Sequence, residues 1–389
     1  MANTRRLPKH ARSFVGIPKR RPAWAGIIIA CGLVLFPLSA LADGEPSSGR
    51  VGADSNIEEA IVLAGETIYP GEKKELRLPT SESFIGANVD TPLVVIRGKE
   101  PGPVLCLVAG IHGDELNGTE IVREIMDTHG AGDIRGTLIG VPIANLFGFI
   151  NQSRYLPDRR DLNRFFPGNE HGSTASRIAR RFWDVLRNCT HLIDFHTGSL
   201  HRSNVPQVRG DLRNEEILDL SRAFGARVIV QNPGPQGTLR RTATDHGIAA
   251  ILYEAGESMR FQKEEIRKGV LGVRNAMVHL GMREGRRVDL GTQRVYRRTR
   301  WVRAEHGGII EIYPVLGESI SEGDILGVIS DPLRRDKDIL VSRVSGQIIG
   351  MVLSPMVIPG MAVLHVGLDD QSLDASGMGM EVLDSDRPE

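Results

Sequence analysis

The chain has 389 residues, of which 41% are hydrophobic and 25% are charged, and its formal net charge at pH 7 is zero. This composition is ordinary for a globular protein, and the length allows about two domains. A zero net charge gives no electrostatic reason to expect nucleic acid or an anionic membrane as a partner. We therefore expect no nucleic-acid binding.

Residues 1–42 have the pattern of a secretory signal peptide. The basic stretch MANTRRLPKHARSFVGIPKRRPAW precedes a short apolar run that ends in ALA before Asp43. A basic segment, a short apolar segment and an A-x-A site are the parts of such a signal. The apolar run is shorter than the roughly 20 residues that a membrane span needs, which leaves a retained anchor as the alternative. We predict cleavage after Ala42, export to the periplasm, and no stable membrane insertion of the mature chain.

The next segment, residues 43–95, reads as a polar linker followed by an N-terminal β segment. The linker is rich in Gly and Ser, and extended pieces such as KKELRLP and TPLVVIRGK follow it. Two cysteines remain after cleavage, Cys106 and Cys189, each in or beside an apolar, strand-like run. This setting favours buried thiols over metal ligands, with a disulfide as the open alternative.

Apolar strands alternate with helical patterns through residues 96–290. Examples are VLCLVAGI before NGTEIVREIMDTH, THLIDFHTGS after ASRIARRFWDVLRNC, and AAILYEAGES before KEEIRKGVLGVRNAMVHLG. Strands this continuously apolar are typical of a parallel sheet covered by helices on both faces. We predict an α/β domain. Ligands of such sheets bind at the carboxyl ends of the strands, where the polar clusters of this sequence fall.

Residues 291–370 change to short alternating strands separated by Gly, Pro, Asp and Ser, which predicts a small C-terminal all-β barrel-sandwich domain. The pieces GESISEGDILGVI and VSGQIIGM resemble those of lipoyl and biotinyl carriers. No lysine lies at a hairpin tip of this pattern, so a carrier role is not expected. The acidic and polar residues 371–389 read as a flexible tail.

The turn GIHGDE, between an apolar strand and a helix, places His112 and Glu115 three positions apart. An imidazole and a carboxylate suit Zn²⁺, and a catalytic zinc site adds a third, distant ligand. His196, at the carboxyl end of another apolar strand, is the candidate. His191 is the alternative, but it begins that strand and would lie at the wrong end. Asp194 shares a strand face with His196 and is expected to orient it.

Other readings of these residues stay open from the sequence alone. The same polar side chains would also suit the amino-terminal caps of helices, and Asp114 is either a partner of a ligand or a helix cap.

The loop SRYLPDRRDLNRFFPG interleaves arginines with apolar side chains that could anchor it. Arginines held in this way bind carboxylates through two hydrogen bonds or stabilise a developing oxyanion. Glu254, at the end of the strand in AAILYEAGES, is the candidate proton acceptor, with Glu257 as the competitor.

In this order, GIHGDE, DLNRFFPG, DFHTGS and YEAG together resemble the succinylglutamate desuccinylase/aspartoacylase family, which is related to zinc carboxypeptidases. The resemblance implies a zinc-carboxypeptidase-like, mostly parallel sheet flanked by helices, with a small C-terminal β-domain. It implies one Zn²⁺ per chain, held by His112, Glu115 and His196, with Glu254 as general base.

The resemblance also assigns roles in the arginine-rich loop. Asn163 and Arg164 match the pair that holds the substrate carboxylate, and Arg160 is a further candidate for substrate binding. Arg154 resembles the oxyanion-stabilising arginine, with Arg159 and Arg160 as alternatives because the loop is longer than in the aspartoacylase branch.

The resulting expectation is a zinc-dependent hydrolase that cleaves the amide bond of an N-acyl amino acid or a related amide bearing a carboxylate. Its expected partner is a small acyl-amino acid or a short peptide as substrate. Two alternatives stay open. The first is an exported peptidase or amidase that trims γ-glutamyl or cell-wall peptides. The second is a binding protein without catalytic activity.

Overall fold

A computed structural model describes residues 60–82, 85–199, 201–333 and 337–369. The predicted signal peptide, most of the linker after it and the predicted tail lie outside these ranges. Within them, no helix combines the length and the apolar character needed to cross a membrane.

The α-helices are α1 (Asn117–Thr128), α2 (Leu146–Ile150), α3 (Thr174–Leu186), α4 (Glu215–Phe224), α5 (Leu239–Asp245) and α6 (Lys263–His279). The strands are β1 (Ile61–Leu63), β2 (Glu66–Ile68), β3 (Lys73–Glu82), β4 (Asn88–Arg97), β5 (Val104–Ala109), β6 (Thr137–Val141), β7 (His191–Gly198), β8 (Arg202–Gly210), β9 (Val228–Gln231), β10 (Ala249–Glu257), β11 (Arg294–Tyr296), β12 (Thr299–Arg303), β13 (Gly308–Ile312), β14 (Ser319–Ile320), β15 (Ile325–Ser330), β16 (Lys337–Val341), β17 (Gly346–Val352), β18 (Met356–Val357) and β19 (Ala362–Leu368).

A large mixed sheet runs through the molecule in the order β12-β19-β17-β8-β10-β7-β5-β6-β4-β3. Its centre, β10-β7-β5-β6, is parallel, and the strands that flank this centre, β8 and β4, pair with it antiparallel. The predicted α/β sheet is therefore confirmed. Because the parallel strands all end at one edge, the side chains that follow β5, β7 and β10 meet there.

Helices cover both faces of the parallel centre, which explains why its strands are almost continuously apolar. On one face, Phe182 of α3 packs with Cys106 and Leu192. On the other, Ile121 of α1 packs with Leu107 and Ile193. Alternate residues of each strand enter opposite cores, so both sets must be apolar.

Cys106 of β5 and Cys189, just before β7, form a disulfide with their Cα atoms 6.0 Å apart. Both residues are buried, as expected from the sequence. The disulfide that the sequence left open is present, because β5 and β7 are neighbours in the sheet and bring the two cysteines together.

The C-terminal residues form the predicted small β region, built on a four-stranded antiparallel sheet in the order β16-β15-β13-β18. The other C-terminal strands, β11, β12, β14, β17 and β19, belong to the main sheet instead. The join is the antiparallel pairing of β17 with β8, in which Gly350 lies opposite Asn204. This join places C-terminal strands beside the edge where the predicted site residues lie.

Candidate active site

The GIHGDE turn connects β5 to α1 and packs against the loop that carries the arginines. Gly113 donates its N–H to the carbonyl oxygen of Ser153, at 3.1 Å. A Cβ atom at Gly113 would overlap with the backbone of Gly148 in α2. The glycine is therefore needed so that this turn and the arginine-rich loop can approach each other closely.

His112, Glu115 and His196 lie together at the carboxyl edge of the sheet, as predicted. His112 Nδ1 is 2.9 Å from Glu115 Oε1, and His196 Nδ1 is 2.8 Å from Glu115 Oε2. The two Nδ1 atoms are 3.1 Å apart. The side chains are almost fully buried, and one donor atom from each lies within 4.8 Å of the others. Three buried side-chain atoms of the kind that coordinate metals thus face one point, and this arrangement can hold a metal ion.

The far nitrogen of each histidine ring faces a carboxylate. His112 Nε2 donates to Asp161 Oδ1 at 3.1 Å. His196 Nε2 is 3.1 Å from Asp194 Oδ1, at ion-pair distance but without hydrogen-bond alignment. A carboxylate on one ring nitrogen leaves the other free to coordinate, which is the usual setting of a metal-binding histidine. Asp194 therefore lies where the sequence predicted.

The charges of the cluster stabilise one another. Burial alone would lower the pKa of His196, but the Asp194 and Glu115 carboxylates outweigh burial and raise that pKa to about 10. Burial alone would raise the pKa of Glu115, but His112 and His196 outweigh it and hold that pKa far below its usual range. The cluster thus keeps an anionic carboxylate at the point where the imidazoles converge.

The arginine-rich loop brings Arg154 to the same cluster. Its Nη1 is 3.2 Å from His112 Nδ1 and 3.3 Å from Glu115 Oε1, and its Nη2 donates to Asp161 Oδ2 at 2.8 Å. A guanidinium therefore lies directly beside the donor atoms. This is the position that stabilisation of a developing oxyanion requires.

Asn163 and Arg164 lie next along the loop. The Asn163 side-chain oxygen accepts from the backbone N–H of Leu239 at 2.8 Å and so anchors the start of α5. Arg164 Nη1 donates to the Asn163 carbonyl at 2.8 Å and is 3.9 Å from Asp161 Oδ2. The two residues are thus fixed beside Arg154, and their roles in substrate binding stay predictions.

Arg159 and Arg160 occupy a different part of this loop. The Arg160 side chain is 48% exposed, pairs with Asp158 at 3.7 Å and stacks over Phe165. Arg159 has a left-handed backbone (φ +62°) and donates its N–H to the carbonyl oxygen of Leu156. The sequence left open whether Arg154, Arg159 or Arg160 stabilises the oxyanion. The geometry favours Arg154, because its guanidinium lies beside His112 and Glu115.

Glu254 of β10 lies opposite His196 of β7 in the parallel register, so both project from the same face of the sheet. Its Oε1 accepts from Asn204 Nδ2 at 2.6 Å, and its Oε2 is 3.1 Å from Arg209 Nη1. Glu257, the competitor, pairs instead with Arg260 at 2.6 Å. The register therefore favours Glu254 as the carboxylate beside the cluster.

Two alternative predictions from the sequence, His191 as a metal ligand and Asp114 as a helix cap, are wrong. His191 begins β7 and its Nε2 pairs with Glu216 at 3.1 Å, so it lies at the opposite end of the strand from the cluster. Asp114 does not cap α1, because the capping position is Leu116 and no side chain caps that helix.

The sequence reading missed three side chains that contact predicted site residues. Asp161 joins His112 to Arg154, and its position two residues before the predicted pair Asn163 and Arg164 is the available signal. Asn204 and Arg209 hold Glu254 from β8. Nothing local in the sequence indicates that pairing, because β8 pairs antiparallel with β10 over a separation of about 50 residues.

Residues 101–280 match the succinylglutamate desuccinylase/aspartoacylase catalytic domain, and they include every residue of the cluster just described. Over these residues the chain is similar to this family. Its members are deacylases of N-acyl amino acids, so the family supports an amide-hydrolysing enzyme.

Similar proteins agree with this assignment. The chain is 28% identical over 274 residues to an N-alpha-acetyl-L-2,4-diaminobutyric acid deacetylase of Halomonas elongata, covering 67% of this chain and 80% of that protein. The product-bound ectoine utilization protein EutE of Ruegeria pomeroyi superimposes with a TM-score of 0.70 at 25% identity, covering 76% of this chain and 95% of that one. A succinylglutamate desuccinylase/aspartoacylase from Rhodobacter sphaeroides gives 0.68 at 25%, covering 76% and 94%.

Proposed function

We propose that this protein is a zinc-dependent deacylase that hydrolyses the amide bond of an N-acyl amino acid or a related amide bearing a carboxylate. The observation that carries the proposal is the convergence of His112, Glu115 and His196 beside Arg154, with Glu254 in register on the neighbouring strand. The similarity of residues 101–280 to a family of deacylases supports the reaction class.

The donor set fits one zinc ion. Two imidazole nitrogens and a carboxylate are ligands that zinc accepts, and a catalytic site needs only three from the protein. The Asp161 carboxylate accepts a hydrogen bond from His112 Nε2, and the Asp194 carboxylate lies 3.1 Å from His196 Nε2. Both rings thus turn their Nδ1 atoms towards the shared point. When bound there, zinc would act as a Lewis acid and make water a stronger acid.

The remaining chemistry falls to side chains of this chain. Glu254 accepts a proton from the attacking water and delivers it to the leaving nitrogen, so that one amide and one water give a carboxylic acid and an amine. Arg154 stabilises the oxyanion that develops on the carbonyl oxygen. Asn163 and Arg164 bind the substrate carboxylate and set the position of the scissile bond.

We further propose that the mature protein works after export. Two observations support export, namely the signal-peptide pattern of residues 1–42 and the buried disulfide between Cys106 and Cys189. Disulfides persist in oxidising compartments such as the periplasm and are rare in the cytosol. An exported location favours the second candidate function, an amidase that trims γ-glutamyl or cell-wall peptides.

The test uses the mature protein from Asp43. Metal content is measured, and hydrolysis is followed for N-acetyl and N-succinyl amino acids and for γ-glutamyl peptides of the cell wall. About one zinc per chain with cleavage of the acyl-amino acids supports the deacylase. Cleavage of the γ-glutamyl peptides alone supports the second candidate. A protein that takes up no zinc and cleaves neither set contradicts both and leaves a binding protein.

A further inference from the structure

Two side chains of β8 hold the carboxylate of Glu254, one on each oxygen. Asn204 donates to Oε1 at 2.6 Å, and Arg209 lies 3.1 Å from Oε2. Both residues are buried, at 5% and 9% exposure. A carboxylate held at both oxygens by buried donors has little freedom to rotate.

These donors are held in turn by the C-terminal strands. Arg209 Nε donates to the side-chain oxygen of Gln207 at 3.2 Å. The Gln207 side-chain nitrogen donates to the Ile349 carbonyl oxygen of β17 at 3.0 Å, and Gln207 is fully buried. The orientation of Arg209 therefore depends on a backbone atom of the C-terminal region.

Gly350, the next residue of β17, lies opposite Asn204 in the antiparallel register. A Cβ atom at Gly350 would be 2.5 Å from Asn204 Oδ1 and 3.2 Å from the Cβ of His365. Any side chain at this position would displace the Asn204 amide. The absence of a side chain at Gly350 is thus what allows Asn204 to reach Glu254.

We propose that Asn204, Arg209, Gln207 and Gly350 are positioning residues for Glu254, and that the C-terminal β17 thereby sets the orientation of the general base. This inference rests on the proposed deacylase function, in which Glu254 moves the proton. It gives the C-terminal β region a part in catalysis through its contacts with β8. A purely structural role would join the two regions without affecting turnover.

The test is a double-mutant cycle on the zinc-loaded mature enzyme, with Asn204→Ala, Gly350→Ala and the double variant. A displaced base costs on the order of 10- to 100-fold in kcat. Each single variant should lose that much, with KM and zinc content within about twofold of wild type. Because Gly350→Ala acts by displacing Asn204, the double variant should be no slower than Asn204→Ala alone. Additive losses, or unchanged kcat in the single variants, would overturn the inference.

Further variants separate positioning from folding. Arg209→Lys keeps a cation and should retain more kcat than Arg209→Met, at equal Tm. Ser203→Ala, next to Asn204 but outside these contacts, is the matched control and should retain wild-type kcat. Equal losses in the two Arg209 variants would contradict positioning by charge.

Failure of the proposed function gives a different result. If the wild-type protein hydrolyses nothing in the substrate panel, that function falls. The crystal structure of Gly350→Ala still tests the contact, because an unmoved Glu254 carboxylate would overturn the positioning claim by itself.

Discussion

The carboxylate of Asp161 joins His112 to Arg154. Its Oδ1 accepts a hydrogen bond from His112 Nε2 at 3.1 Å, and its Oδ2 accepts one from Arg154 Nη2 at 2.8 Å. Burial alone would raise the pKa of Asp161, but His112, Arg154 and Arg164 outweigh it and hold that pKa far below its usual range. One anionic carboxylate thus orients a candidate metal ligand and the guanidinium beside it.

Asp161→Ala should therefore weaken zinc binding and lower kcat together. Partners of metal-binding histidines typically contribute about 10- to 100-fold in metal affinity or activity. Zinc affinity is measured by competition with a chelator, and kcat on the best acyl-amino acid. Asp158→Ala is the matched control, because that carboxylate lies in the same loop and pairs only with the exposed Arg160 among the contacts described. Equal zinc affinity in Asp161→Ala and the control would refute the role.

Glu254→Gln should separate metal binding from turnover. The amide keeps the size of the side chain and can still contact Asn204, but it cannot accept a proton, so kcat should fall by about 10²- to 10⁴-fold. Zinc content should stay near that of wild type. The control is Glu257→Gln, three residues along the chain and paired with Arg260. If Glu257→Gln is the slower variant, the two glutamates have been assigned the wrong way round.

Arg164→Ala should mainly raise KM. A carboxylate bound equally in the ground and transition states contributes to affinity without changing kcat. Arg160→Ala tests the alternative in the same loop, and its exposed position over Phe165 predicts little change in KM. Steady-state kinetics on a substrate with and without the α-carboxylate decides between them. If KM rises in Arg160→Ala alone, then Arg160 rather than Arg164 binds the substrate carboxylate.

The parts of the site that the sequence predicted are those fixed by local pattern. His112 and Glu115 follow one apolar strand, and His196 lies near the carboxyl end of another. Because the carboxyl ends of parallel strands share one edge, the strand pattern alone predicts that these residues converge. Glu254 was predicted for the same reason, and its register opposite His196 agrees.

The contacts that could not be predicted from the sequence depend on pairings between strands that are distant along the chain. The contact of Arg209 with Glu254 requires that β8 run antiparallel beside β10, and the disulfide requires that β5 and β7 be neighbours. The hydrophobic periodicity of a strand does not predict which strands become its neighbours in the sheet. The same holds for β17, whose apolar pattern predicts a strand but not that the strand extends the main sheet.

The Cys106–Cys189 disulfide closes a separation of 83 residues between neighbouring strands. Because the cross-link restricts the unfolded chain, its loss should lower the free energy of unfolding by about 2–4 kcal/mol. Denaturant unfolding with and without reductant measures the difference. A Cys106→Ala, Cys189→Ala double variant should be equally stable in both conditions. Reductant that leaves the wild-type midpoint unchanged would contradict a stabilising cross-link.

His365 should make stability depend on pH. It is buried against Trp301, with ring centroids 4.1 Å apart, and burial together with the nearby Arg209 and Arg202 lowers its pKa well below the ordinary value. The folded chain therefore keeps His365 neutral, while the unfolded chain protonates it below about pH 6.5. Its contribution is fully present above that pH. As the pH falls from there towards the folded-state pKa of His365, the free energy of unfolding decreases by about 1.4 kcal/mol per pH unit.

His365→Phe keeps an aromatic ring against Trp301 but cannot bind a proton, so the variant should lose less stability between pH 7 and pH 5 than wild type. Unfolding in denaturant at several pH values gives the two curves. His129 and His191, whose pKa values burial also lowers, contribute equally to both proteins, so the difference between the curves isolates His365. Parallel curves would mean that His365 takes up its proton as readily in the folded chain as in the unfolded one.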